Sequence, residues 1–269
     1  MPPPAPAGPA PTVRDGADAV YMPSCTNRIF GRSAAESGYA TVEGATAHSV
    51  PEALATVSAR AGKPVWIPGD VAGTCCSTPW ASKGYERGAE AMANATVEKL
   101  WRWTNEGELP VVIDASSCTH GLLESRDALS ETNREHLDAM TILDSVQWCG
   151  QHLLPGLEVG ERVGIAVLHP TCSSKHLGLD KELERIAAAL AAEVVVPETA
   201  TCCGFAGDRG FLHPELTAAA TSEEAAEVKA AAADVHLCAN RTCEIGMERA
   251  TGERYESFIY LLEQATRPG

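Results

Sequence analysis

Six short apolar runs, each followed by a cysteine, constrain this chain most, because they fall into two series that repeat one another. Val20-Tyr21-Met22-Pro23-Ser24-Cys25 matches Val167-Leu168-His169-Pro170-Thr171-Cys172. Val65-Trp66-Ile67-Pro68, running on to Cys75-Cys76, matches Val194-Val195-Val196-Pro197, running on to Cys202-Cys203. Val111-Val112-Ile113-Asp114-Ala115-Ser116-Ser117-Cys118-Thr119-His120-Gly121 matches Val235-His236-Leu237-Cys238-Ala239-Asn240-Arg241-Thr242-Cys243-Glu244-Ile245-Gly246. Short apolar runs bounded by Pro and Gly read as buried strands of a parallel sheet. Helical stretches separate them at residues 81–104, 180–192 and 215–233, the last with Thr221 or Ser222 as a cap ahead of Glu224. Strands alternating with helices predict βαβ units. The expected fold is therefore α/β, with two pseudo-repeated, Rossmann-like halves. The cysteines then fall just past the carboxyl ends of strands, where open α/β sheets place their sites. Residues 1–17 are expected to be a disordered Pro/Ala-rich tail. Residues 18–158 form the first repeat, ending in a connecting helix over 133–154, and residues 159–269 form the second.

The cysteine spacing narrows the chemistry. The two series are Cys25-x49-Cys75-Cys76-x41-Cys118 and Cys172-x29-Cys202-Cys203-x39-Cys243. Adjacent cysteines are poor disulfide partners, since neighbouring Cα atoms lie about 3.8 Å apart and a bridge wants about 4.4–6.8 Å. Structural zinc sites usually space their pair as C-x2-4-C. Two consecutive thiolates with one distant cysteine on each side suit an iron–sulfur cluster, which spreads its ligand directions over several irons. Zinc and plain burial of free cysteines remain the alternatives. Cys25, Cys75, Cys76, Cys118, Cys172, Cys202, Cys203 and Cys243 are the candidate ligands. Cys238 aligns with the strand residue Ile113 and reads as a small hydrophobe of the sheet. Cys149 sits at helical spacing from Ile142, Val146 and Leu153 and reads as core. His169, ahead of Pro170-Thr171-Cys172, and His120, two residues after Cys118, have two readings: a role at a cluster, or ordinary hydrogen bonding. Gly73 and Gly204 flank the cysteine pairs and suit either close backbone packing on a cluster or a simple turn. Residues 205–210 form a Gly-rich run without G-x-G-x-x-G or a P-loop lysine, so no nucleotide site is read there.

Composition removes other classes. The net charge of −15, from 36 acidic against 21 basic residues, argues against nucleic acid and anionic membrane as partners. No window approaches about 18 consecutive apolar residues, and the Pro-rich start lacks a signal-peptide h-region. Ten cysteines without an export signal point to the cytoplasm. There is no flavin or dinucleotide fingerprint, no ferredoxin cysteine run, no Gly-x-Ser-x-Gly and no His-Glu-x-x-His.

Thr201-Cys202-Cys203-Gly204-Phe205-Ala206-Gly207-Asp208 resembles the CCG, or cysteine-rich, domain family. That family includes the cysteine-rich component of heterodisulfide reductases and the iron–sulfur subunits of lactate, glycolate and anaerobic glycerol-3-phosphate oxidation. Gly73-Thr74-Cys75-Cys76-Ser77-Thr78-Pro79-Trp80-Ala81-Ser82-Lys83-Gly84 and Asn240-Arg241-Thr242-Cys243-Glu244-Ile245-Gly246-Met247 most resemble the C-terminal iron–sulfur part of FAD-linked D-lactate dehydrogenases, and the likeness covers about residues 18–265. Two departures stand out. Ser77 replaces the glycine after the first pair, and Ala115 and Asn240 occupy the places where the earlier cysteine of a terminal C-x-x-C would fall. Four cysteines per half suit ordinary 4Fe–4S clusters. The resemblance implies an electron-transfer subunit or domain working with a separate FAD-linked D-2-hydroxyacid dehydrogenase of the D-lactate or glycolate type. Electrons would pass to a quinone or cytochrome, and contact with an inner membrane face would be made through partners. The alternative is a heterodisulfide reductase-type catalytic subunit with a noncubane cluster.

Overall fold

Both β-branched series become the centres of parallel sheets. The computed structural model describes residues 4–5, 12–31 and 49–268. In the first half, β1 (Ala19–Met22), β2 (Val65–Trp66), β3 (Val111–Ile113) and β4 (Ile142–Asp144) pair in the order β2-β1-β3-β4. In the second, β5 (Val163–Leu168), β6 (Ala191–Val195), β7 (Val235–Cys238) and β8 (Tyr255–Ser257) pair in the order β6-β5-β7-β8. All pairings are parallel, with Val20 opposite Val111 in one sheet and Ala166 opposite Val235 in the other. The two halves thus share one topology. In each, the chain leaves the first strand to one side and then returns to the other, which opens a crevice at the carboxyl ends of β1 and β5.

The predicted helices form with shifted ends. The stretch 81–104 becomes Thr78–Ala81 and Glu86–Trp103, broken around Gly84 at φ +76°. The stretch 180–192 ends at Leu190, because Ala191 already pairs with Val163. The stretch 215–233 divides into Pro214–Ala220 and Ser222–Ala231. Thr221 stands at the junction but does not cap the second helix; its hydroxyl donates to the Thr217 carbonyl at 2.8 Å. The connecting helix expected over 133–154 is not formed as one element. It is Glu131–Ala139, then the edge strand β4, then the turn Ser145–Gln147 and a π-helical stretch Trp148–Leu153. Ile142-Leu143-Asp144 gains more from pairing with β3 than from continuing a helix. Of the Pro/Ala-rich segment 1–17, residues 1–3 and 6–11 lie outside the described residues. The Thr12 hydroxyl donates to the Val65 carbonyl at 2.6 Å and accepts from the Ile67 N–H at 2.8 Å, tying residues 12–17 to β2. Ala5 N–H donates to Ile29 O at 2.8 Å.

One apolar core runs through both halves, from Val20, Leu54 and Ile113 to Leu168, Leu183 and Phe258. The helices Val50–Arg60 and Phe258–Ala265 pack across the junction, where Arg60 pairs with Glu263 at 2.9 Å and donates to its carbonyl at 2.7 Å. Trp148 Nε1 donates to Ser58 Oγ at 3.0 Å on the same junction.

Asp144 caps the turn after β4. Its carboxylate accepts from Val146 N–H at 2.8 Å and from the Thr119 hydroxyl at 2.8 Å, and Gln147 closes a capping box. Burial pushes its carboxyl up to about 6, against these hydrogen bonds. A folded-state value above the unfolded 3.8 means that the folded chain holds an extra proton in that interval. Its contribution to stability is complete below about pH 4 and is lost as the pH rises to about 6, a span of about 3 kcal/mol. Asp144→Asn keeps an acceptor for Val146 and removes the titration. Urea unfolding of both forms across this interval is expected to show a shallower fall of stability with rising pH in the variant; equal slopes would reject the assignment.

Candidate metal centre

Each predicted cysteine lies past the end of a strand, and the members of each series come together in chain order. In the first half the side chains follow one another as Cys25 to Cys75, Cys75 to Cys76, and Cys76 to Cys118, each in hydrogen-bond contact with the next. In the second half the sequence is Cys172 to Cys202, Cys202 to Cys203, and Cys203 to Cys243, with the last two sulfurs 2.8 Å apart. None of the cysteines forms a disulfide. The correspondence is positional. Cys25 and Cys172 are the first residues of the helices Cys25–Ile29 and Cys172–His176, and Cys118 and Cys243 are the third residues of Ser116–Glu124 and Arg241–Thr251. All four thus sit in first helical turns. Ser24 and Thr171 cap the two short helices, accepting from Asn27 N–H at 3.3 Å and from Ser174 N–H at 3.0 Å.

The second cysteine of each pair and the last of each series are buried, whereas Cys25 and Cys75 are half-buried and Cys172 and Cys202 exposed. Each set therefore has a dry inner side and an outer side facing solvent. The turn between pair and helix is the same in both halves: Ser77 and Gly204 both have φ +66°. At Gly204 a Cβ would lie 2.8 Å from Leu216 O and from Ala220 Cβ, so the helix Pro214–Ala220 excludes any side chain. At Ser77 the helix Thr78–Ala81 follows directly, and the serine adopts the left-handed conformation at a cost of about 1–2 kcal/mol. This is why the glycine after the pair is present in only one half.

The thiols perturb one another. Hydrogen bonding to Cys75, then burial, pushes the Cys25 thiol up; hydrogen bonding to Cys118 pushes Cys76 up to about 12. Cys202 is held well down by interaction with Cys172 and Cys203, and the Gly204 N–H adds a contact at 3.4 Å. Interaction with Cys202 and donation to Cys243, then burial, push Cys203 up. Metal binding would displace the thiol protons of each set.

Several side chains outside the eight take part. Cys238 ends β7, fully buried, as read from the sequence; its sulfur also contacts Cys243 and lies 3.7 Å from Asn240 O. Cys149 is buried in the core beside Val146 and Leu153, away from both sets, and burial pushes its thiol up. His169 comes together with Cys203 and Cys243, one ligand atom from each lying within 4.8 Å of the others. His120 stacks obliquely on His176, ring centres 5.1 Å apart, between the helices that carry Cys118 and Cys172. Asn240 is legible in the sequence only as the residue standing in for a cysteine. Its Nδ2 donates to Cys243 Sγ at 3.5 Å, and its Oδ1 accepts from Ser117 Oγ at 2.9 Å. One side chain thus joins Cys243 to the neighbour of Cys118, linking the two sets across the halves. Lys83 and Asp208 add an ion pair at 2.5 Å between the segments following the two cysteine pairs.

Among the described residues no helix is long and apolar enough to cross a membrane. The profile of the cysteine-rich (CCG) domain matches residues 39–122 and 166–248. The chain is 24% identical over 220 residues to the glycolate oxidase iron-sulfur subunit of Escherichia coli K12, covering 79% of this chain and 53% of that protein. It is 26% identical over 200 residues to one of the subunits of the anaerobic glycerol-3-phosphate dehydrogenase of the same strain, covering 71% of this chain and 49% of the relative. The chain thus spans about half the length of the curated relatives it matches. Two matched segments, each carrying a cysteine pair and together covering more than half of the sequence, place this chain in the cysteine-rich (CCG) domain family.

Proposed function

We propose that this chain is an iron–sulfur electron-transfer subunit or domain of a flavin-linked dehydrogenase. The carrying observation is the convergence of two quartets of free thiols in the same order, each dry inside and open outside. The donor set fits the group: thiolate quartets suit ligation of iron, and the adjacent pairs Cys75-Cys76 and Cys202-Cys203 depart from the C-x2-4-C spacing of structural zinc sites. Cys25, Cys75, Cys76 and Cys118 would hold one cluster, and Cys172, Cys202, Cys203 and Cys243 another. Four sulfurs each fit the 4Fe–4S type. When bound, such groups exchange single electrons, which links a two-electron flavin to one-electron acceptors. The chain's own residues supply the rest. Cys76, Cys118, Cys203 and Cys243 are buried and keep water from the inner side, and exposed Cys172 and Cys202 leave a face for exchange.

The names of the two relatives, subunits of an oxidase and a dehydrogenase, support a partner that oxidises a small hydroxy compound. Of these, the D-lactate or glycolate type fits the motifs around Cys75-Cys76 and Cys243 best. The FAD belongs to that partner, a quinone or cytochrome lies downstream, and the complex works in the cytoplasm or at the inner face of a membrane.

Iron and acid-labile sulfide in anaerobically purified protein test this reading, together with EPR of the dithionite-reduced sample. About eight irons and eight sulfides per chain are expected, with two cluster signals. Zinc in both sets, or a colourless metal-free fold, would remove the redox reading.

A further inference from the structure

His169 ends the run that leads into Cys172, immediately after β5, and its side chain is fully buried. Nδ1 lies 2.6 Å from Glu224 Oε1, and Glu224 is itself buried on the helix Ser222–Ala231. A carboxylate accepts, so the neutral tautomer that fits this contact donates Nδ1–H to Glu224 and leaves the Nε2 lone pair facing the cysteines. That Nε2 is buried and has no hydrogen-bond partner among the described residues. His169, Cys203 and Cys243 each bring a ligand atom within 4.8 Å of the other two. A buried, unpaired acceptor is expensive unless something occupies its lone pair. A carboxylate behind the far nitrogen is the arrangement that orients metal-bound imidazoles and raises their basicity.

We propose that His169, through Nε2, takes the place of one thiolate of the second set and ligates the metal centre beside Cys203 and Cys243, oriented by Glu224. The inference rests on the iron–sulfur reading above. The second centre then has a mixed nitrogen and sulfur donor set, and the first has sulfur alone. The matching run in the first half places Met22 at the position of His169, and Met22 offers no nitrogen. The asymmetry has a functional consequence. Neutral imidazole places less negative charge on iron than thiolate does, and histidine ligation raises cluster potential. The second centre is therefore the higher-potential one of the pair. With both groups bound, the second centre would be the preferred resting place of an electron; Ser117 and Asn240 join the two cysteine sets by hydrogen bonds.

The test uses the full chain, grown with 15N-histidine, loaded anaerobically, reduced with dithionite and examined by pulsed EPR. The expected result is a directly bonded 15N coupling in one of the two cluster signals. It should vanish in His169→Cys, where a thiolate keeps the centre loaded, and that centre's potential should fall. Glu224→Gln should retain the coupling with a changed magnitude. Two cluster signals without a bonded histidine coupling would overturn the proposal and leave the iron–sulfur reading standing, as would a coupling that persists in His169→Cys. Failure to load any iron, read separately from iron and sulfide content, would overturn both.

Discussion

Cys203→Ser is expected to empty the second cysteine set while the first stays loaded, so that iron falls from about eight to about four per chain and one of two EPR signals disappears. Cys203 is 3% exposed, donates to Cys243 at 2.8 Å and also contacts Cys202, so it is a middle member of the quartet. A serine oxygen is a harder ligand on a shorter reach, and thiolate is the donor that iron–sulfur centres use. The first set shares no residue with the second; its sulfurs are placed by β1, the Cys75-Cys76 turn and the helix Ser116–Glu124. Cys149→Ser is the matched control. That thiol is equally buried, at 0% exposure, on the π-helical stretch Trp148–Leu153. Its loss is expected to leave iron unchanged and to lower stability by about 1–3 kcal/mol, the cost of placing a hydroxyl in an apolar site. The pair of variants separates ligation from burial. Full iron in Cys203→Ser, or iron loss in Cys149→Ser, would sink the assignment.

The grouping of the cysteines into two sets was legible because one pattern is written twice at similar offsets from β-branched runs. A pattern of that kind survives without any tertiary information. The fourth strand of each sheet was not legible. Ile142–Asp144 and Tyr255–Ser257 are three residues long and end in buried polar groups, so neither shows the alternation by which a strand is recognised. Asp144 and Ser257 are apolar-compatible only because each caps the turn that follows. The pairing of His169 with Glu224 was equally hidden. The two are 55 residues apart, and Glu224 lies on an Ala-rich helix where an acidic residue reads as a solvated first turn. The reading of Cys238 as a sheet residue describes its backbone correctly and misses its sulfur, which turns towards Cys243 at the strand end. Strand ends are where a side chain leaves the alternation of the sheet, and sequence periodicity carries no signal there.

Asp114→Ala is expected to cost about 3–5 kcal/mol and to weaken iron retention in the first set selectively. Asp114 follows β3, is buried, and places each carboxylate oxygen on a different partner. Oδ2 accepts from the Tyr21 hydroxyl at 2.5 Å, and Oδ1 accepts from Ser24 N–H at 2.7 Å. Its own carbonyl accepts from Asn27 Nδ2 at 3.2 Å. Ser24 is the cap of the helix that begins with Cys25, so this one residue fixes the position from which Cys25 reaches Cys75. Burial pushes the Asp114 carboxyl up and, together with Asp114 itself, pushes the Tyr21 phenol up. Alanine would strand both donors in a dry site, each costing about 1–3 kcal/mol. Asparagine retains one acceptor and removes the buried charge, so Asp114→Asn should cost less than half as much. The second half has Ala239 at the corresponding place, and there the Thr171 hydroxyl caps the cysteine helix, so its iron should be retained. A double-mutant cycle between Asp114→Ala and Tyr21→Phe, read by urea unfolding, should give a coupling above about 1 kcal/mol. A coupling near zero would mean that the short contact between phenol and carboxylate contributes nothing to the fold. Iron loss distributed equally over both sets would mean that Asp114 acts through global stability and not by holding Cys25.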